Sequence, residues 1–256
     1  LITAIMVIFP LISFILGGFI AQTLGWVGTM YVFFIFGLII LTGSVYNISE
    51  TKIEKLNNLN FLKITNSFLV VLKNTKFLTF TLIGAIQTGI FFSSFGFMPY
   101  EFARLGVSPL EFGFWLSFTG IGYFLGNILN RNYASKFGIE ALIILGCFFS
   151  FLSYLTILVL NLNNFTHPLY ISIPIIIFGL GNGFTVANCI IGGVSTTGAN
   201  SGTATGIAGA LQMSSGGVIG SIIISFGGDK SFVLCLLFVI FLCFIALLLS
   251  VFNFIK

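Results

Sequence analysis

Eight times along its 256 residues the sequence runs for about twenty positions with almost no charge, the length an α-helix needs to cross the ~30 Å hydrocarbon core of a bilayer. The runs occupy residues 1–24, 28–47, 77–98, 112–130, 139–160, 169–191, 203–226 and 231–254. Backbone polar groups inside lipid must be satisfied within their own segment, which leaves the helix as the fold for each run. Only 6% of the residues are charged and 57% are hydrophobic, whereas a soluble domain carries about a quarter charged residues. There is too little polar surface to cover a water-soluble globule. The expected fold class is therefore all-α: a polytopic membrane helix bundle of about eight spans, with the lipid bilayer as its first partner. The chain opens on Leu1 inside an apolar run with no cleavable signal sequence in view, so further N-terminal sequence is expected.

The charges lie mostly between the runs. One polar stretch, 48–76, holds five lysines (Lys52, Lys55, Lys63, Lys73, Lys76) and has the composition of a short surface helix. Together with Arg131, Lys136 and Lys256 it places eight basic residues on one side of the membrane, against Arg104 and Lys230 on the other. Basic loops stay in the cytoplasm, so the long loop and the C-terminus are expected there, in a multi-pass cell (inner) membrane protein. The net charge of +4 is accounted for by these loops, and no nucleic-acid partner is expected.

Inside lipid, helices approach closely where their side chains are small. Gly202, Gly206, Gly209, Met213, Gly216 and Gly220 recur at helical spacing in one run, beside a polar stripe that includes Ser201, Thr205, Gln212 and Ser215. Gly179 and Gly183 stand four apart near Asn182, Thr185 and Asn188, and Gly122 and Gly126 precede Asn127 and Asn130. Gln87 and Ser94 are seven apart, on one helical face. An amide in hydrocarbon is costly unless it faces protein or water. Each amide taken singly fits an interhelical hydrogen bond, and amides on four segments together fit a shared polar path. The candidate path residues are Gln87, Ser94, Asn127, Asn182, Asn188 and Gln212, with Phe91, Phe92 and Phe95 as an adaptable apolar wall.

Enzyme chemistry finds no support. Glu50, Glu101, Glu111, Glu140 and Asp229 fall at run ends or in loops, leaving no carboxylate at mid-depth. His167 sits in a loop beside Pro168, and Cys147, Cys189, Cys235 and Cys243 lie in apolar runs without metal-ligand spacing. No phosphate-binding loop, nucleophile elbow or zinc-protease pattern occurs, and no cofactor or metal is expected.

Four stretches carry a family likeness. Pro10 through Gly17-Gly18, followed by Leu24-Gly25-Trp26, resembles the antiporter motif of a transporter's fifth helix. Phe14 stands where that motif has its second proline. Ser49-Glu50-Thr51 resembles the pair that closes the sixth helix. Gly106-Val107-Ser108-Pro109, Phe112-Gly113, Asn130-Arg131 and Lys136-Phe137-Gly138 resemble the eighth helix and the basic turn after it. Gly179-Leu180-Gly181 through Asn188 to Gly202-Thr203-Ala204, Gly209, Gln212 and Gly217 is similar to the tenth and eleventh helices, with Ala187 in place of a proline. In this order the motifs resemble the major facilitator superfamily, and within it the Bcr/CflA-type drug-efflux branch.

The resemblance implies two six-helix halves with a substrate site between them at mid-membrane. Residues 1–47 would be the last two helices of the N-terminal half, 48–76 the cytoplasmic central loop, and 77–256 the six-helix C-terminal half. The first four helices would then be a missing structural partner. The implied function is proton-coupled efflux of small amphipathic drugs or xenobiotics, with Pro10, Gly17, Gly18, Arg131, Gly202 and Gly209 as motif or conformational residues. Gly17 and Ala21, with Gly202, Gly209 and Gly220, would be contacts that slide as the halves rock. The alternatives are a metabolite importer of the same fold and a non-transporting truncated remnant or subunit.

Overall fold

A computed structural model describes the backbone of residues 2–47, 61–225 and 231–254 and the side chains of residues 12–47, 65–225 and 231–252. Ser49, Glu50, Thr51, Asp229, Lys230, Lys256 and the side chain of Pro10 lie outside that description. The described residues form eight helices: α1 (Ile2–Asn47), α2 (Phe61–Lys73), α3 (Thr75–Arg104), α4 (Pro109–Phe137), α5 (Ile139–Leu162), α6 (Leu169–Ser195), α7 (Ser201–Ser225) and α8 (Phe232–Phe254). Seven of them are long and apolar enough to cross a membrane.

The two expected N-terminal spans, 1–24 and 28–47, are two helical pieces of α1 that meet at Gly25, where φ is 67° and ψ −173°. At ~1.5 Å per residue a continuous helix of this length would be roughly twice as long as the hydrocarbon core is thick. The interruption divides it into two pieces that are each long enough to span. Glycine can hold this positive φ without a Cβ clash, which explains why the expected linker shrinks to one residue. Beyond Gly25 the helix is apolar on every side, with Trp26 75% and Phe33 70% exposed.

The other boundaries follow local chemistry. Asn74 caps α3, its side chain accepting from the Phe77 N–H at 3.1 Å, while its amide donates to the Thr196 carbonyl at 3.0 Å. Ser108 and Glu111 form a reciprocal cap at the start of α4 with Pro109 in the first turn. The expected surface helix in the 48–76 stretch is α2, which buries Val71 in a cluster with Phe77, Ala204, Ile207 and Ala208.

Helix α6 occupies the centre, packed between α4 and α5, while α3 pairs with α7 and α8 packs on α5 and α3. Small residues permit this. A Cβ on Gly126 would come 2.5 Å from the Leu180 carbonyl oxygen, and one on Gly183 2.8 Å from the Asn127 nitrogen. Gly122 and Gly179 likewise meet the backbones of Ile176 and Thr119. The two glycine pairs singled out in the sequence thus interlock along one seam. Around it the main apolar core gathers Phe97, Phe102, Tyr154, Ile171, Phe178 and Leu236.

Candidate functional site

A cavity of about 250 Å³ lies where α1, α3, α4, α6 and α7 face one another. Helix α3 contributes Thr88, Phe91 and Phe92, which stand at i, i+3 and i+4 and so share one face. Helix α4 adds Thr119 and Tyr123, and α6 adds Asn182 and Val186. Gln212 and Met213 come from α7, and Phe14 from α1. Thr88, Tyr123, Asn182 and Gln212 each lie within two residues of the midpoint of their helices. A cavity built from helix midpoints lies at mid-depth in the helix bundle.

The wall is aromatic and uncharged. Phe91 and Phe92 meet edge to face at 5.3 Å, Phe91 and Phe95 at 5.1 Å, and Phe14 reaches Phe95 at 5.7 Å. Phe14, the departure from the second proline of the motif, therefore places a phenyl ring in the cavity wall. Among the described residues, no Lys, Arg, Asp, Glu or His side chain lines the cavity.

Of the six polar residues expected on a shared path, the structure brings two into this wall, Asn182 and Gln212. Gln87 is fully buried against α5, its Oε1 accepting from Ser150 at 2.9 Å. Ser94 shares a 2.7 Å hydrogen bond with Tyr154 and lines a separate small void. Asn127 donates to the Tyr123 carbonyl of its own helix at 2.8 Å. Asn188 pairs with Asn130, donating to its Oδ1 at 2.7 Å. These four hold helices together or bond to their own backbone, the interhelical role an amide takes in lipid.

Among the motif residues, a Cβ on Gly18 would come 2.6 Å from the Pro109 carbonyl oxygen, where α1 crosses α4 against Gly113. Gly17, Gly202 and Gly209 face open space, and Arg131 is exposed near the end of α4. The packed face of α7 is instead Ala204, Ala208, Gln212, Gly216 and Ile219.

Sequence reasoning missed three features. Thr88 and Thr119 are cavity residues whose signal was their spacing to Phe91, Phe92 and Tyr123. The third is the environment of Glu101, which is 3% exposed although it lies near the end of α3. Its carboxylate accepts two hydrogen bonds from Arg104, at 2.6 and 2.8 Å. The Tyr170 hydroxyl of α6 also donates to it, and Asn161 of α5 donates to Tyr170 at 3.1 Å. This network ties the ends of three helices at one face of the membrane.

No curated protein sequence matches the chain. Residues 1–221, most of its length, match the Major Facilitator Superfamily. Multi-pass apolar helices around a mid-depth cavity are what such a transporter requires, and the chain belongs to the Major Facilitator Superfamily of membrane transporters.

Proposed function

We propose that the protein exports small amphipathic drugs or xenobiotics in exchange for protons, as the Bcr/CflA-type branch does. The observation that carries this reading is the mid-depth cavity with its aromatic, charge-free wall. Such a wall accepts varied apolar shapes through adaptable contacts, and a few neutral polar groups orient them. A site for a sugar or an amino acid would present many more converging hydrogen-bonding or charged groups. The coupling proton and the exchange direction rest on the resemblance of the Pro10–Gly18 motif, where Gly18 packs against α4.

In the same reading, residues 1–47 complete one transporter half, 48–76 form the cytoplasmic linker and 77–256 form the second half. The bare glycine face of α7, with Gly202 and Gly209, is where the other half slides. The excess of basic residues in the 48–76 and 131–136 segments orients both toward the cytoplasm, in the inner membrane of a bacterial cell.

The test is accumulation of a hydrophobic dye in cells expressing the protein. Lower accumulation, abolished by a protonophore, is expected. Unchanged accumulation with abundant protein, together with counterflow of a labelled metabolite, would identify an importer instead.

A further inference from the structure

Four buried side-chain atoms lack a hydrogen-bond partner among the described residues: Thr81 Oγ1, Gln87 Nε2, Thr88 Oγ1 and Gln212 Nε2. Buried polar groups are almost always paired, so each exception calls for an explanation. Two of the four side chains, Thr88 and Gln212, line the central cavity.

Threonines elsewhere in these helices bond back to their own backbone. Thr185 donates to the Gly181 carbonyl at 2.8 Å, Thr156 to Leu152 at 2.8 Å and Thr79 to Thr75 at 3.0 Å. Thr88 makes no such bond, although the Gly84 carbonyl stands four residues before it. Gln212 is equally specific in its placement. Its amide lies over Gly84, where a Cβ would come within 2.7 Å of Nε2. The missing side chain of Gly84 is therefore what makes room for that amide. Gly84 and Thr88 are one turn apart on one face of α3, so the Gln212 amide and the Thr88 hydroxyl lie on neighbouring turns just behind the cavity wall. Both are buried as they stand, and a ligand oxygen meets them when the two side chains turn into the cavity. Both can donate, and a carbonyl oxygen has two lone pairs to accept.

The remaining wall decides what carries that oxygen. Phe91, Phe92, Tyr123 and Met213 offer aromatic and thioether contacts, and among the described residues no charged side chain lines the cavity to compensate an ion in a site of low dielectric. We propose that the cavity binds an uncharged aromatic carbonyl compound, such as an aryl ketone, amide or ester. Its carbonyl oxygen is held between Gln212 and Thr88, and its rings lie among Phe91, Phe92 and Tyr123. This rests on the export reading and narrows its substrate class from amphipathic compounds in general to neutral acceptors.

Benzophenone is both a member of this class and a photolabel that inserts into nearby C–H bonds, readily at methionine. The purified full chain in lipid nanodiscs is irradiated with benzophenone and the labelled peptides are mapped by mass spectrometry. Labelling is expected at Met213 or within residues 88–92. Fluorenone should displace the label at a concentration about tenfold lower than diphenylmethane, which has similar shape without the oxygen. Tetraphenylphosphonium, an aromatic cation, should not compete. Thr88→Val and Gln212→Leu should each weaken fluorenone competition about fivefold while leaving diphenylmethane unchanged, a split that a structural role alone would not produce. Equal competition by diphenylmethane, displacement by tetraphenylphosphonium, or labelling confined to other helices would overturn the proposal. The wild-type comparison decides it even where a variant fails to fold. Intact cavity labelling with no dye export would refute the export reading alone, and export without selective labelling would refute this inference alone.

Discussion

Glu101 shows how much a single residue can carry in a chain with six acidic groups. Position alone makes it a terminal residue of α3, three before Arg104. Its burial comes from partners far away in sequence: Tyr170 is 69 residues on, and Asn161 60. Neither could be matched to Glu101 by spacing or composition, because the pairing exists only once α3, α5 and α6 have packed. The Arg104 side chain is 65% exposed, so losing the ion pair costs it little. The larger cost falls on the Tyr170 hydroxyl, left without its acceptor, while Asn161 keeps Tyr170 as a partner. Glu101→Ala should therefore lower unfolding stability by about 1–3 kcal/mol, measured by thermal denaturation in detergent, while Arg104→Ala, which strands a buried carboxylate, should cost at least as much. A much smaller effect of Arg104→Ala would show that the Tyr170 hydrogen bond, and not the ion pair, holds the network.

At the scale of elements, α7 separates what periodicity can show from what it cannot. The glycines of this helix were legible as stripes at helical spacing, but which stripe meets a neighbour was not. Gly202 and Gly209 face open space, whereas a Cβ on Gly216 would come 2.6 Å from the Phe92 Cβ. Gly216→Leu should push Phe92 toward the cavity and cost about 1–3 kcal/mol by overpacking. Gly209→Leu should leave stability within about 0.5 kcal/mol and impair transport, since the proposed sliding contact runs over that face. Thermal midpoints and dye efflux measured on the same preparations separate the two effects, and equal destabilisation by both would contradict the packing described. The six helices from α3 to α8 were all legible, because an apolar run of spanning length leaves one fold open to it, but α3 and α4 run on to Arg104 and Phe137, past the expected ends at 98 and 130. The break in α1 was legible as well, because the two apolar runs part at residues 25–27, and the structure narrows it to Gly25. The glycine pairs of α4 and α6 were the most faithful local signal, since close backbone approach in lipid has few other solutions.

For the whole molecule, the site was half legible. Asn182 and Gln212 could be found because amides in hydrocarbon are conspicuous, yet the same logic also selected Gln87 and Asn188, which serve helix pairing, and Asn127, which bonds within its own helix. Sequence does not separate these uses, because each satisfies the same need for a partner. What distinguishes them is geometry: the cavity collects residues from helix midpoints on five elements, and its wall is aromatic with no charge. The central claim is that this cavity belongs to a proton-driven exporter. The most direct measurement is flux of a hydrophobic dye across liposomes containing the purified protein, with a pH gradient imposed across the membrane. Dye movement against its own gradient, driven by protons moving the other way and slowed by Gln212→Leu, is the predicted result. Flux no greater than in protein-free liposomes, with the protein shown to be folded, would contradict it.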